Sequence, residues 1–93
     1  MIPASSYDEK IEFLKDLGEI PVYTNPAYES ALIGVDLHEN RAVYDYDLMI
    51  KCLVESEGWT VEEAVEWVDY NVIGLRGEGL PIVIERFSDG EGA

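Results

Sequence analysis

Positive charge is what this chain has least of. Six Lys and Arg stand against twenty Asp and Glu, giving a formal net charge of −14 over 93 residues with the single histidine neutral. That balance argues against direct contact with nucleic acid or an anionic membrane surface and for a basic protein surface, or a cation, as partner. Cysteine is nearly absent as well: Cys52 stands alone, so no internal disulfide can form, which fits a reducing compartment. No apolar run approaches the roughly 18 residues of a membrane span. The opening Met-Ile-Pro-Ala-Ser-Ser lacks the basic and apolar regions of a signal peptide. The expectation is a cytoplasmic protein. Apolar residues, in contrast, make up 47% of the chain and include two Trp, six Tyr and two Phe. Disorder requires low hydrophobicity together with high charge, and only the charge is present here. A chain of this length is expected to form one domain spanning 1–93, with frayed ends at 1–5 and 88–93.

The usual catalytic groups are equally scarce. His38 falls in a predicted turn and Cys52 lies beside an apolar helical stripe, so no nucleophile–base pair is indicated. Asp36, Glu39, Asp45 and Asp47 do not form the D-x-D-x-D-G loop of a calcium site; Asp45 and Asp47 are explained by the start of a helix, whose dipole favours carboxylates. Gly74-Leu-Arg-Gly-Glu-Gly79 follows a helix and lacks the Gly-Lys-Ser/Thr ending of a phosphate loop. Carboxylate spacing leaves glycoside hydrolysis open, but so small a domain offers little room for a sugar cleft. We therefore expect no enzyme activity, no cofactor and no metal.

The order of elements is legible from caps and periodicity. Ser6 with Glu9 forms a capping box before an apolar stripe at Ile11, Phe13, Leu14 and Leu17, predicting a helix over 6–17 that Gly18 ends in a left-handed conformation. Pro21 and Pro26 make 19–29 an extended connector. Residues 31–37 and 41–44 flank His38-Glu39-Asn40 as a β-hairpin, Asn40 suiting positive φ; alternation places Ile33, Val35 and Leu37 on one face, and Gly34 marks a bulge or close packing point. Asp45 caps a helix to about residue 56. Thr60 and Glu63 form a second capping box for a helix to about residue 73, with Gly74 as its C′ residue. Residues 80–84 read as a final strand with Pro81 at its start or on an edge. The fold class is α+β: a small three-stranded, mainly antiparallel sheet packed with three helices in the order α-β-β-α-α-β.

The third helix carries the feature that composition alone does not explain. At 100° per residue, Val61, Ala64, Val65, Val68 and Val72 cluster on one side, while Glu62, Glu66 and Asp69 lie nearly opposite, with Glu63, Trp67 and Tyr70 beside them. From residue 52 to residue 75 there is no Lys or Arg to offset six carboxylates. Like charges at i, i+4 destabilise a helix by a few tenths of a kcal/mol, so helix stability alone does not favour this arrangement. The plainer reading is a solvated face with Trp67 as ordinary core. The functional reading makes Glu62, Glu63, Glu66, Trp67, Asp69 and Tyr70 a partner-binding face, since aromatic residues are enriched at interface hot spots.

The segment 41–71, with its Val-Tyr-Asp-Tyr-Asp stretch, its acidic Glu-Glu-Ala turn and its Asp-Tyr-Asn ending, together with the terminal Pro-Ile-Val-Ile strand, resembles a family of small, mostly uncharacterised proteins encoded by phages and prophages. The resemblance covers residues 31–84, leaves out the first helix, and implies no enzyme activity. It implies a small acidic accessory protein made in the bacterial cytoplasm, which could occupy the nucleic-acid-binding surface of a host or defence protein by imitating phosphate charge. Glu62, Glu66 and Asp69 span roughly 10 Å of helix. Duplex DNA carries about one charge per 1.7 Å, so these three are sparser than DNA and need Glu55, Glu57 and Glu63 to approach it. The alternative is a structural or self-associating module, a homodimer for instance, whose acidity serves solubility only.

Overall fold

Each helix begins where a side chain satisfies its free N–H groups. In the computed structural model, which describes residues 6–75 and 79–87, the first helix α1 (Tyr7–Leu17) opens with Ser6 Oγ accepting the Glu9 N–H at 3.2 Å while Glu9 Oε1 accepts the Ser6 N–H at 3.1 Å. Gly18 ends it at φ 150°, ψ −177°, an extended, glycine-favouring conformation rather than the left-handed helical one expected. The connector contains a cis Asn25–Pro26 bond and closes in a 3₁₀ turn, Glu29–Ala31, with Tyr28 at φ 50°.

The sheet has three strands in spatial order β1-β2-β3, where β1 is Leu32–Asp36, β2 is Arg41–Asp45 and β3 is Ile82–Ile84. β1 and β2 pair antiparallel across a turn in which Asn40 takes φ 54° and Asp36 accepts the His38 N–H at 2.9 Å. β2 and β3 pair in parallel, Val43 opposite Ile82 and Asp45 opposite Ile84, so the sheet is mixed.

Between Leu32 and Gly34 the register slips by one, making Ile33 a bulge on β1. The slip resets the alternation. Leu32 and Val35 both turn to the core, whereas Ile33 is 38% and Leu37 71% exposed. The common face expected of Ile33, Val35 and Leu37 is thus corrected by one extra residue, and the Lys10 ammonium donates to the Leu32 carbonyl there at 2.7 Å.

Helix α2 (Tyr46–Glu57) starts at Asp45, whose carboxylate accepts the Leu48 N–H at 2.9 Å, and ends at Gly58 in the left-handed region with φ 73°. Helix α3 (Val61–Val68) packs against α2 and carries the expected Thr60–Glu63 capping box. It stops earlier than its periodicity suggests. Asp69–Ile73 winds as a π-turn, the Gly74 N–H reaching back to the Asp69 carbonyl at 2.9 Å. Gly74 therefore has an ordinary helical φ of −72°; a Cβ there would stand 3.1 Å from the Tyr70 carbonyl oxygen.

The core joins Leu14, Leu32, Tyr44, Met49, Leu53, Ala64 and Val68 into one cluster. Tyr23, Tyr28 and Tyr44 meet at its edge with ring centroids 4.9 to 6.4 Å apart, and the Tyr44 hydroxyl accepts the Tyr23 backbone N–H at 3.0 Å. Desolvation pushes the Tyr44 phenol up to about 12, the Tyr23 N–H pulling the other way. Asp45 is the one buried charged residue among those described, and Arg86, just past β3, pairs with it. The resulting fold is α+β in the expected order of elements. No helix among the described residues is long and apolar enough to cross a membrane. The ends expected to fray, 1–5 and 88–93, lie outside the described residues, as do residues 76–78 of the glycine-rich loop.

Candidate functional site

The α2–α3 pair sets out the acidic face. Ala64, Val68 and Val72 are buried and Val65 is half-buried, which turns the opposite side of α3 outward. Val61, grouped with this buried side by periodicity, is instead 59% exposed, because the first turn of α3 projects beyond the packed part of the helix.

All six residues singled out from the sequence are at the surface: Glu62, Glu63, Glu66, Trp67, Asp69 and Tyr70. Four of them, Glu63, Glu66, Trp67 and Tyr70, line one open depression of about 610 Å³ together with Trp59 and Asn71. Glu62 and Asp69 do not line it. Asp69 instead accepts the Tyr46 hydroxyl at 2.8 Å, bridging the π-turn to the start of α2. Burial, then this bond to a carboxylate and the charge of Asp69, push the Tyr46 phenol up to about 12.

Trp59 and Trp67 form the floor, their ring centroids 5.5 Å apart and their planes tilted by 58°. Trp67 also reaches inward: hydrogen bonding between its side chain and Tyr28 lowers the Tyr28 phenol's pKa, against a larger upward push from burial. Trp67 nevertheless stays 38% exposed. The Asn71 side-chain amide donates to the Trp67 carbonyl at 3.0 Å, locking the π-turn beneath it. Single π-turns of this kind recur at functional positions in helices.

Among the described residues, no Lys or Arg pairs with the carboxylates around this floor. Glu63 Oε1 accepts the Thr60 N–H at 2.9 Å in the capping box, leaving Oε2 free. Glu62 and Glu66 have no hydrogen-bond or ion-pair partner among the described residues. Three of the basic side chains among the described residues are engaged elsewhere: Arg41 with Glu39 at 3.0 Å, Arg86 with Asp45, Lys10 with the Leu32 carbonyl. Periodicity alone missed Trp59, which precedes the Thr60 N-cap. The usable signal was that this N′ position lies against the first turns of its helix, and that the chain's two Trp flank it.

The other chemistry-bearing residues do not converge. Cys52 is half-buried with its Sγ 3.1 Å from Ser30 Oγ, and His38 is exposed on the hairpin turn. Asp36, Glu39 and Asp45 each serve a local bond already described. Among the described residues no three of His, Cys, Asp and Glu gather closely enough to hold a metal ion. Comparison with protein-family models, with curated proteins and with solved structures finds no match for this chain.

Proposed function

We propose that this chain is a non-enzymatic accessory protein of phage or prophage origin. In this reading it acts by protein–protein contact, presenting the acidic and aromatic face of α3 and its π-turn to a basic surface. The observation that carries it is the coincidence of uncompensated charge with exposed aromatic area. Glu62 and Glu66 stand without partners among the described residues beside Trp67, and beside Tyr70 at 82% exposure. Large aromatic residues left at the surface amid carboxylates cost solvation and helix stability, and interfaces recover that cost through hot-spot contacts. The partner that fits is a nucleic-acid-binding protein of the bacterial host or of its defence systems, its basic surface covered by this face.

The test is affinity capture from bacterial lysate with the native chain and with the triple variant E62Q/E66Q/D69N, followed by binding of the captured protein in purified form. A partner held by the native chain, released by salt, lost by the variant and displaced from its nucleic acid supports the reading. Equal capture by both chains, or no capture at all, refutes it. The exposed outer edge of β1, with Ile33 and Leu37 at the surface, favours self-association as the second reading, since an unpaired edge invites another strand. Sedimentation showing a monomer at both low and high ionic strength would remove it.

A further inference from the structure

We infer that the depression between Trp59 and Trp67 seats the guanidinium group of an arginine side chain projecting from the partner protein. The inference rests on the acidic-face reading and names the residue that this face recognises.

Three features specify the occupant. The floor is aromatic: Trp59 and Trp67 lie tilted against each other with Tyr70 beside them, and the negative face of an aromatic ring attracts a cation. The rim is anionic and unspent: Glu66 has no partner among the described residues, and Glu63 keeps Oε2 free while Oε1 caps the helix. Glu63 and Glu66, three residues apart, are neighbours on the helix surface, so their carboxylates can accept from one planar donor group. The backbone beneath Trp67 is also tied before binding, by the Asn71 bond to the Trp67 carbonyl.

A flat, weakly hydrated cation with several in-plane N–H donors satisfies floor and rim together; guanidinium stacks on the indole and hydrogen-bonds to the carboxylates. A lysine ammonium is compact and strongly hydrated, so it uses the charge but little of the floor. A quaternary ammonium uses the floor but leaves the carboxylates without donors. A second copy of this chain is a poor occupant, because its own net charge of −14 is repelled by this face.

Both tryptophans of the chain line the depression, so intrinsic tryptophan fluorescence reports on it; Trp67 also borders the cleft beside Tyr28, and the Trp59→Leu variant separates the two signals. The probe is a capped lysine-rich nonapeptide whose central residue is Arg, Lys or citrulline, titrated at low salt. The arginine peptide should bind about tenfold tighter than the lysine peptide, with citrulline weakest, given stacking and charge-assisted bonds that only guanidinium makes together. Glu66→Gln, at an exposed and unpaired position, should abolish that preference, and so should Trp59→Leu. If arginine and lysine peptides bind alike and both are weakened by E62Q/E66Q/D69N, the arginine seat is refuted while the acidic face stands. If no peptide binds, both fail. An arginine preference that survives both Glu66→Gln and Trp59→Leu places the seat elsewhere and overturns the assignment.

Discussion

Asp45 joins three elements, and replacing it should show which of its bonds matters most. Its carboxylate ends β2, caps α2 through the Leu48 N–H and pairs with Arg86 beyond β3, with the side chain only 4% exposed. Asp45→Asn keeps an N-cap acceptor of equal rank and removes the charge. The Arg86 side chain is 59% exposed, so water screens the lost pair, and the cost should be about 0.5 to 1 kcal/mol. Asp45→Ala removes the cap as well and leaves the Leu48 N–H without its acceptor, adding about 1 kcal/mol. At roughly 4–8 °C per kcal/mol for a domain of this size, the alanine variant should melt about 10 °C below the native chain and the asparagine variant about half as far. Loss of any carboxylate also relieves self-repulsion in so acidic a chain. Glu19→Gln, exposed in the connector after α1, measures that general gain. Thermal unfolding followed by circular dichroism, with Arg86→Ala completing a double-mutant cycle, separates the contributions. Asparagine and alanine variants of equal stability would refute the cap as the larger contribution. An alanine variant within 0.5 kcal/mol of the native chain would refute both.

E62Q/E66Q/D69N should fold with little change in stability. Relief of i, i+4 repulsion gains a few tenths of a kcal/mol, offset by the weakened Tyr46–Asp69 bond, so a loss above about 1 kcal/mol in urea unfolding would mark these carboxylates as structural. Alkali should unfold the protein as its tyrosines ionise. Tyr44 and Tyr46 are raised to about 12 from 10, so their neutral forms stabilise the fold fully below pH 10, and this is lost as pH rises through 12. Titration of tyrosinate absorbance should show late phenols in the folded chain, Tyr44 and Tyr46 the latest and Tyr7, Tyr23 and Tyr28 also raised, and all six ionising together near pH 10 would contradict the burial. Gly58→Ala should cost about 1 kcal/mol although nothing lies within 4 Å of the added Cβ, because the penalty is the left-handed backbone at φ 73°; an unchanged melting temperature would show that the α2 terminus relaxes freely.

Most of the fold was legible because its signals are local. Both capping boxes, Asp45 as a cap and Asn40 at positive φ follow from residues within a few positions of each other. What was not legible depends on partners distant in sequence. The direction of β3 is set by how far the chain travels between Ile73 and Ile82, which no pattern in those residues encodes. The bulge at Ile33 was hinted at by Gly34, but the resulting change of face follows only from pairing with β2. The π-turn at Asp69–Ile73 is likewise invisible to a 3.6-residue period. It is supported by the Asn71 amide and by the bond from Tyr46 on another helix.

The same distinction bears on the candidate site. An ideal helix groups Glu62, Glu66 and Asp69 by angle and predicts a charged stripe along one side of α3. The π-turn breaks that stripe: Asp69 is drawn to Tyr46, while Trp67, Tyr70 and Asn71 close around a depression that Trp59 completes from outside the helix. A stripe attracts any cationic surface through long-range charge, an effect that salt screens over about 10 Å at 0.1 M. A depression with an aromatic floor also selects among cations, because contact with the rings survives at ionic strengths that erase the stripe. Salt should therefore weaken every basic ligand of this face while leaving the order of preference among them intact. That persistence of rank is what separates a recognition site from a solvated acidic helix.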